Sequence, residues 1–194
     1  MQKKERALIY FVTSNRHKFE EISLIVREEA PWIRIDIAND VKKLEIQADS
    51  LEEIALYAAE TILRSLDAPF IVEEAGLFIR RLGGFPGPYS SYVYRTIGCE
   101  GILKLMDGVE DRHAEFRSII VLCYGGLMKV FKGSVRGHIS SKPRGSRGFG
   151  FDPIFVPEGD TRTFAEMGIS EKNRISHRAQ ATRRMLCFLR EILL

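Results

Sequence analysis

The sequence predicts a single α/β domain built on a mixed sheet. Three observations lead there: apolar runs of strand length alternate with segments of helical period early in the chain, a hairpin signal follows later, and a long amphipathic segment closes it. Nothing repeats internally and no low-complexity linker divides the 194 residues, so residues 1–194 are expected to fold as one unit.

Ala7 to Val12 is a continuous apolar run of the kind a buried strand needs, and Thr13-Ser14-Asn15 behind it favour a turn and a helix cap. Phe19, Ile22, Ile25 and Val26 then recur at helical spacing until Pro31 closes the segment. Ile33 to Ile37 alternates apolar residues with Arg34 and Asp36, as a half-buried strand does. Ser50-Leu51-Glu52-Glu53 has the capping-box pattern ahead of Ile54, Ala55, Ala58, Ile62 and Leu63, which predicts a second helix. Pro69 to Val72 is another buried-strand run, and Glu73 and Glu74 fall where that strand is expected to stop, the position at which open α/β sheets assemble their sites. Gly83 to Pro88 is a turn-rich loop, and Cys99 to Met106 a short helix. Phe116 to Tyr124, the Gly125-Gly126 turn and Leu127 to Phe131 form a hairpin, with Val135 to Ile139 as a further strand. Ser176 is a good N-cap for a last helix on one side of which Ala181, Met185, Leu189 and Ile192 fall near helical spacing.

Composition narrows the functional classes. With 45% hydrophobic and 28% charged residues the chain is ordinary globular material, and a net charge of +3 is too weak for a dedicated nucleic-acid binder while remaining compatible with a small polyanion. Cys99, Cys123 and Cys187 are widely spaced and contain no CxxC pair, which argues against a zinc site or a disulfide framework and for reduced thiols in the cytoplasm. The charged start, Met1 to Arg6, leads into an apolar run too short to span a membrane and without a cleavage pattern, so no membrane partner is expected.

The chemistry concentrates in a few segments. Gly148-Phe149-Gly150-Phe151-Asp152-Pro153 places two aromatic rings on a glycine turn, where they can sandwich a base while Asp152 bonds the base edge or a sugar. Lys172, Arg174, His177 and Arg178 lie around the start of the last helix, whose free N–H groups attract phosphate. A polar turn ending at Lys18 and the acids Glu45, Glu73 and Glu74 complete the set. Phosphoanhydride hydrolysis unites them: Mg²⁺ takes one or two carboxylates and fills its shell with water and phosphate oxygens, while lysine and arginine offset charge on departing pyrophosphate. A P-loop is excluded because no GxxxxGK[ST] occurs, and Arg27-Glu28-Glu29 is only a fragment of a Nudix helix.

With these segments in view, the chain resembles the inosine triphosphate pyrophosphatase family, which hydrolyses non-standard purine nucleoside triphosphates (ITP, dITP, XTP) to monophosphate and pyrophosphate. The resemblance is carried by Thr13-Ser14-Asn15-Arg16-His17-Lys18, Val72-Glu73-Glu74-Ala75-Gly76-Leu77, Gly83 to Ser91, Gly148 to Pro157 and Glu171 to Arg178, in family order across nearly the whole chain. It implies an elongated mixed sheet with flanking helices, two lobes around a central cleft, and a homodimer. It also implies Thr13, Ser14, Asn15, Arg16, His17 and Lys18 around the triphosphate, Mg²⁺ (with Mn²⁺ as substitute) on Glu45 and Glu74, and Glu74, Glu73 and Lys18 as the catalytic groups. Phe149, Gly150, Phe151 and Asp152 would hold the purine, Lys172 the phosphate or base region, and His177 with Arg178 the six-keto edge.

One departure bears on activity. The family commonly has aspartate followed by serine or threonine where this chain has Glu74 and Ala75. The longer acid moves its carboxylate outward by roughly 1.5 Å, one C–C bond, and Ala75 lacks a hydroxyl for the ligand. Two outcomes stay open at this level: a working pyrophosphatase, or a catalytically weakened nucleotide- or RNA-binding relative.

Overall fold

A computed structural model describes residues 6–38 and 40–193; the charged start, residues 1–5, lies outside them. Strand β1 (Ala7–Phe11) leads through the polar turn to helix α1 (Arg16–Glu29), and β2 (Ile33–Ile37) returns parallel to β1. Helix α2 (Leu51–Ile62) starts where Ser50 Oγ accepts the N–H groups of Glu52 and Glu53. Beyond it run β3 (Phe70–Ile79), the two-residue β4 (Pro86–Gly87), and helices α3 (Ser90–Thr96) and α4 (Gly98–Leu105). A long hairpin follows, β5 (His113–Tyr124) and β6 (Leu127–Ile139), then the short β7 (Phe155–Pro157), α5 (Ile169–Ile175) and α6 (His177–Leu193). The seven strands form one mixed sheet, ordered β2-β1-β3-β5-β6-β7 with β4 on β3. Its first half is parallel and its second antiparallel, as a chain that begins strand-helix-strand and continues through a hairpin requires.

Two lobes share this sheet. In the first, α1 and α6 cover one face through Ile22, Ile25, Met185 and Leu189, and α2 covers the other through Leu51, Ala55, Ala59 and Ile62. The second lobe closes over Leu77, Ile79, Phe116, Ile139, Phe155 and Phe164. Strand β3 passes through both: Phe70 to Val72 belong to the first lobe and Leu77 and Ile79 to the second, leaving Glu73 to Gly76 at the waist.

Two expectations need correction. Glu73 and Glu74 do not end a strand; β3 continues to Ile79 because β5 pairs with it over its whole length. They do lie where pairing with β1 stops, since β1 aligns only with Phe70 and Ile71. Leu127–Phe131 and Val135–Ile139 are one strand, β6, and the intervening Gly133 passes directly beneath α6, where a Cβ would fall 2.0 Å from the carbonyl oxygen of His177. Helices α3 and α5 carried no clear periodic signal, being only seven residues each. Among the described residues no helix is long and apolar enough to cross a membrane.

Candidate active site

The waist of the sheet gathers charge from six parts of the chain. The turn after β1 supplies Lys18: Thr13 Oγ1 accepts the N–H of Asn15 at 3.1 Å, and Asn15 Oδ1 caps α1 by accepting the N–H of Lys18 at 3.1 Å. This places the Lys18 ammonium 2.8 Å from Glu73 Oε2, off the line of a hydrogen bond, and 3.9 Å from Glu74 Oε2; it donates instead to the carbonyl oxygen of Glu73 at 3.1 Å. Ser14, Arg16 and His17 remain exposed on the same turn.

Glu73 points into the protein. Its side chain is 0% exposed and receives Arg178 Nε at 3.0 Å and the Ser118 hydroxyl at 2.7 Å. Burial alone would push its pKa up, yet Arg178 and Lys18 more than offset this and hold it far below the ordinary carboxylate range. Arg178 also donates to Glu21 of α1, which pairs with Lys172 at 2.7 Å, and Lys172 reaches Asp152 at 2.6 Å. Burial raises Glu21 too, but Arg178 and Lys172 bring it below its usual value, whereas Asp152 stays above its own because burial outweighs Lys172. His177 is buried against the Phe116 ring, 4.8 Å between centroids, and burial with Arg178 and Lys172 nearby drives its pKa well down, so the imidazole is neutral at pH 7. Its Nδ1 has no partner among the described residues.

Glu74 faces the opposite way, its side chain 12% exposed. Its Oε1 receives Lys43 at 2.5 Å, and the same ammonium lies 2.8 Å from Glu45 Oε1. Burial opposes the charged form of Glu45, but Lys43 above all, then Lys18 and Arg95, take its pKa below the ordinary value. The result is one alternating line of charge from surface to interior: Glu45, Lys43, Glu74, Lys18, Glu73, Arg178, Glu21, Lys172, Asp152. Sequence reasoning found every member except Lys43 and Glu21. Glu21 had a signal, a carboxylate on the buried side of an amphipathic helix; Lys43 had none, because residues 41–50 form neither helix nor strand.

The aromatic loop divides. Phe149 lines a cavity of about 330 Å³ with His17, Glu20, Arg147, Met167 and Ile169, and the His17 ring stacks on it at 5.1 Å and 12°. Lys172 Nζ and Arg178 Cζ lie 5.0 and 5.3 Å from the centre of the same ring. Phe151, expected as the second face of a base sandwich, is instead 3% exposed in the second core, edge-on to Tyr94. Asp152 likewise accepts the N–H of Phe149 at 2.9 Å and the Lys172 ammonium, so its carboxylate holds the turn. Gly148 makes this turn at φ +71°, and a Cβ there would strike Asp152 Oδ2. Gly150 sits at φ +62° beside it, and Ala75 lies on β3 opposite Ser118. A roomier trough, about 780 Å³, opens between Phe78, Arg117 and Arg136; Gly83 and Gly84 of the turn-rich loop line it, but none of the expected catalytic, metal or substrate residues does.

The charge line suits a hard divalent cation at one place. Among the described residues no three His, Cys, Asp or Glu side chains ring an ion. Glu45 and Glu74 nevertheless both meet a single cation, the Lys43 ammonium, which demonstrates that two carboxylates from separate segments converge there. Two carboxylates are what Mg²⁺ commonly takes from a protein when phosphate completes its shell.

Comparison with known proteins places the chain in a family. Residues 9–188 match the model of the Ham1 family. A dITP/XTP pyrophosphatase of Hyperthermus butylicus is 50% identical over 187 residues, covering 96% of this chain and 97% of its own, and one of Thermococcus kodakarensis is 50% identical over 182 residues, covering 93% and 96%. Among solved structures, the Staphylococcus aureus Ham1 protein superposes with a TM-score of 0.82 at 28% identity (95% of this chain, 98% of that one). A HAM1 protein from Coxiella burnetii gives 0.83 at 28% identity (95% and 99%). The chain therefore belongs to the Ham1 family, whose solved members share its two-lobed mixed-sheet fold.

Proposed function

We propose that this protein hydrolyses dITP, ITP and XTP to the monophosphate and pyrophosphate in a Mg²⁺-dependent reaction, removing non-standard purines from the nucleotide pool. The observation that carries the reading is the convergence of Glu45 and Glu74 on one cation beside Lys18, whose neighbour His17 lines the Phe149 cavity. Relatives half identical over nearly the full chain bear the name dITP/XTP pyrophosphatase, and this supports it.

Glu45 and Glu74 would hold the ion, which when bound polarises phosphate oxygens and acidifies water. Lys18 neutralises the polyphosphate from the turn after β1. Glu74, the acid that faces the cleft, orients a water and takes its proton as that water attacks the α-phosphorus and pyrophosphate leaves. Glu73 has no such freedom: with Arg178, Lys18 and Ser118 on it, it positions Lys18 instead. Phe149 offers a ring face to the purine. A purine reaching the buried, neutral His177 would meet an N–H suited to a six-keto oxygen and mismatched to a six-amino group. Two copies would pair through the exposed Tyr89, Tyr92 and Tyr94, tyrosine being frequent at interfaces.

Incubation with ITP and Mg²⁺, followed by phosphorus NMR, is expected to yield IMP and pyrophosphate, with kcat/KM for ITP at least tenfold above that for ATP. IDP with orthophosphate as first products, or equal efficiency on the two nucleotides, contradicts the reading. Nucleotide or RNA binding without pyrophosphate release favours the weakened-binder alternative that Glu74-Ala75 raises.

A further inference from the structure

Lys43 belongs to none of the motifs that point to nucleotide chemistry, yet it occupies the place where that chemistry needs a metal. Its ammonium donates to Glu74 Oε1 at 2.5 Å and lies 2.8 Å from Glu45 Oε1. An ordinary surface lysine meets one acid at most and stays in water, whereas this side chain is only 15% exposed and joins a loop acid to a mid-strand acid. Lys18, the other lysine near Glu74, is held elsewhere. Lys18 is committed to Glu73 at 2.8 Å and to that residue's carbonyl, and stands 3.9 Å from Glu74.

We propose that Lys43 is a built-in counter-ion that fills the divalent-cation position between Glu45 and Glu74 in the nucleotide-free protein, so that ammonium and metal are mutually exclusive occupants. The inference rests on the reading of those two acids as the metal pair. A magnesium ion bonds carboxylate oxygens at about 2.0–2.1 Å. Drawing one oxygen from each acid would put it in the volume the ammonium now fills, with three positive charges crowded against two negative ones. One cation must leave. Lys43 can do so without unfolding an element, because it is a flexible stem on a stretch, residues 41–50, that carries no helix or strand. The lysine keeps the acids neutralised while the site awaits its ion, and its release presents a free positive charge beside the incoming triphosphate.

The test is a titration of Mn²⁺ alone into nucleotide-free protein, read by calorimetry and by the electron paramagnetic resonance of free Mn²⁺. Lys43→Met is expected to bind Mn²⁺ about tenfold more tightly than the parent, equivalent to about 1.4 kcal/mol. Lys43→Arg, which keeps the charge, is expected to bind no more tightly than the parent. A merely structural lysine predicts the reverse, because losing it would loosen the site. Thermal melts with and without Mn²⁺ give a second readout: the rise in Tm on adding the ion is expected to be larger in Lys43→Met than in the parent. Unchanged or weaker Mn²⁺ affinity in Lys43→Met, or no Mn²⁺ binding by either protein, overturns the proposal. A parent that hydrolyses ITP while Lys43→Met binds Mn²⁺ no better sinks this inference alone. Tighter binding by Lys43→Met in a chain that releases no pyrophosphate sinks the enzymatic reading alone.

Discussion

Glu73 and Glu74 are neighbours on β3, yet one carboxylate is sealed among Arg178, Lys18 and Ser118 while the other meets Lys43 at the edge of the cleft. The strand pleat sends successive side chains to opposite faces, so adjacency in sequence becomes separation in environment. The sealed acid is held by a buried guanidinium and a hydroxyl, whereas the open one touches only flexible lysine heads. Groups fixed in this way hold a fold together, and groups held by a displaceable partner can exchange it for a ligand. The difference between the two ends of the charge line is therefore a division between architecture and chemistry.

The sharpest way to break that comparison is at its sealed end. Glu73→Ala leaves Arg178 buried with a lost partner, and removing one member of a buried pair typically costs about 3–5 kcal/mol. Urea unfolding should show a loss of that size; a variant within about 1 kcal/mol of the parent would mean that Glu73 is not structural.

Acid sharpens it further. Glu73 and Glu21 have folded pKa values below the 4.5 of the free side chain, so their stabilisation is complete above about pH 4.5 and is lost as pH falls below it, when the unfolded chain takes up protons first. Asp152 works against this, its raised folded pKa favouring the folded state as pH drops, but Glu73, Glu21 and Glu45 all pull the other way. The urea midpoint of the parent should fall steeply between pH 5 and 3, by about the amounts such shifts carry, and should flatten in Glu73→Gln. Equal slopes in the two proteins would remove Glu73 from the account.

A smaller effect is expected at Phe149, beside the sealed end. Its ring rests over the sealed Lys172 and Arg178 but turns a face to His17 and the cavity. Phe149→Ala should cost about 1–3 kcal/mol in nucleotide binding, the usual value of one base-stacking ring, seen in KM more than in kcat. An unaltered KM would place the purine elsewhere.

Much of this was legible in the sequence, and the failures share one cause. The caps at Asn15, Ser50 and Ser176 act within three residues of themselves, and each forms as expected, with Ser176 Oγ accepting the N–H of Ala179 at 3.2 Å. The end of β3 was misjudged because two glutamates look like a strand terminus. What keeps Glu73 inside is Ser118 and Arg178, 45 and 105 positions away, and no local pattern announces them. Phe151 was placed in the cleft for the same reason: a phenylalanine on a glycine turn has the same sequence signature whether it faces a ligand or, as here, Tyr94 and the core. Lys43 was missed because its partners, not its neighbours, give it a role.

The most direct test of the division is the turnover of Glu74→Gln, an isosteric change that removes only the charge and the basic oxygen. Steady-state pyrophosphate release from ITP with saturating Mg²⁺ is expected to fall by about 10²–10⁴ in kcat, the usual contribution of a positioned general base, while the urea midpoint barely moves. A variant that keeps kcat within about threefold of the parent, well short of what a general base supplies, would contradict the assignment of the chemistry to the open acid.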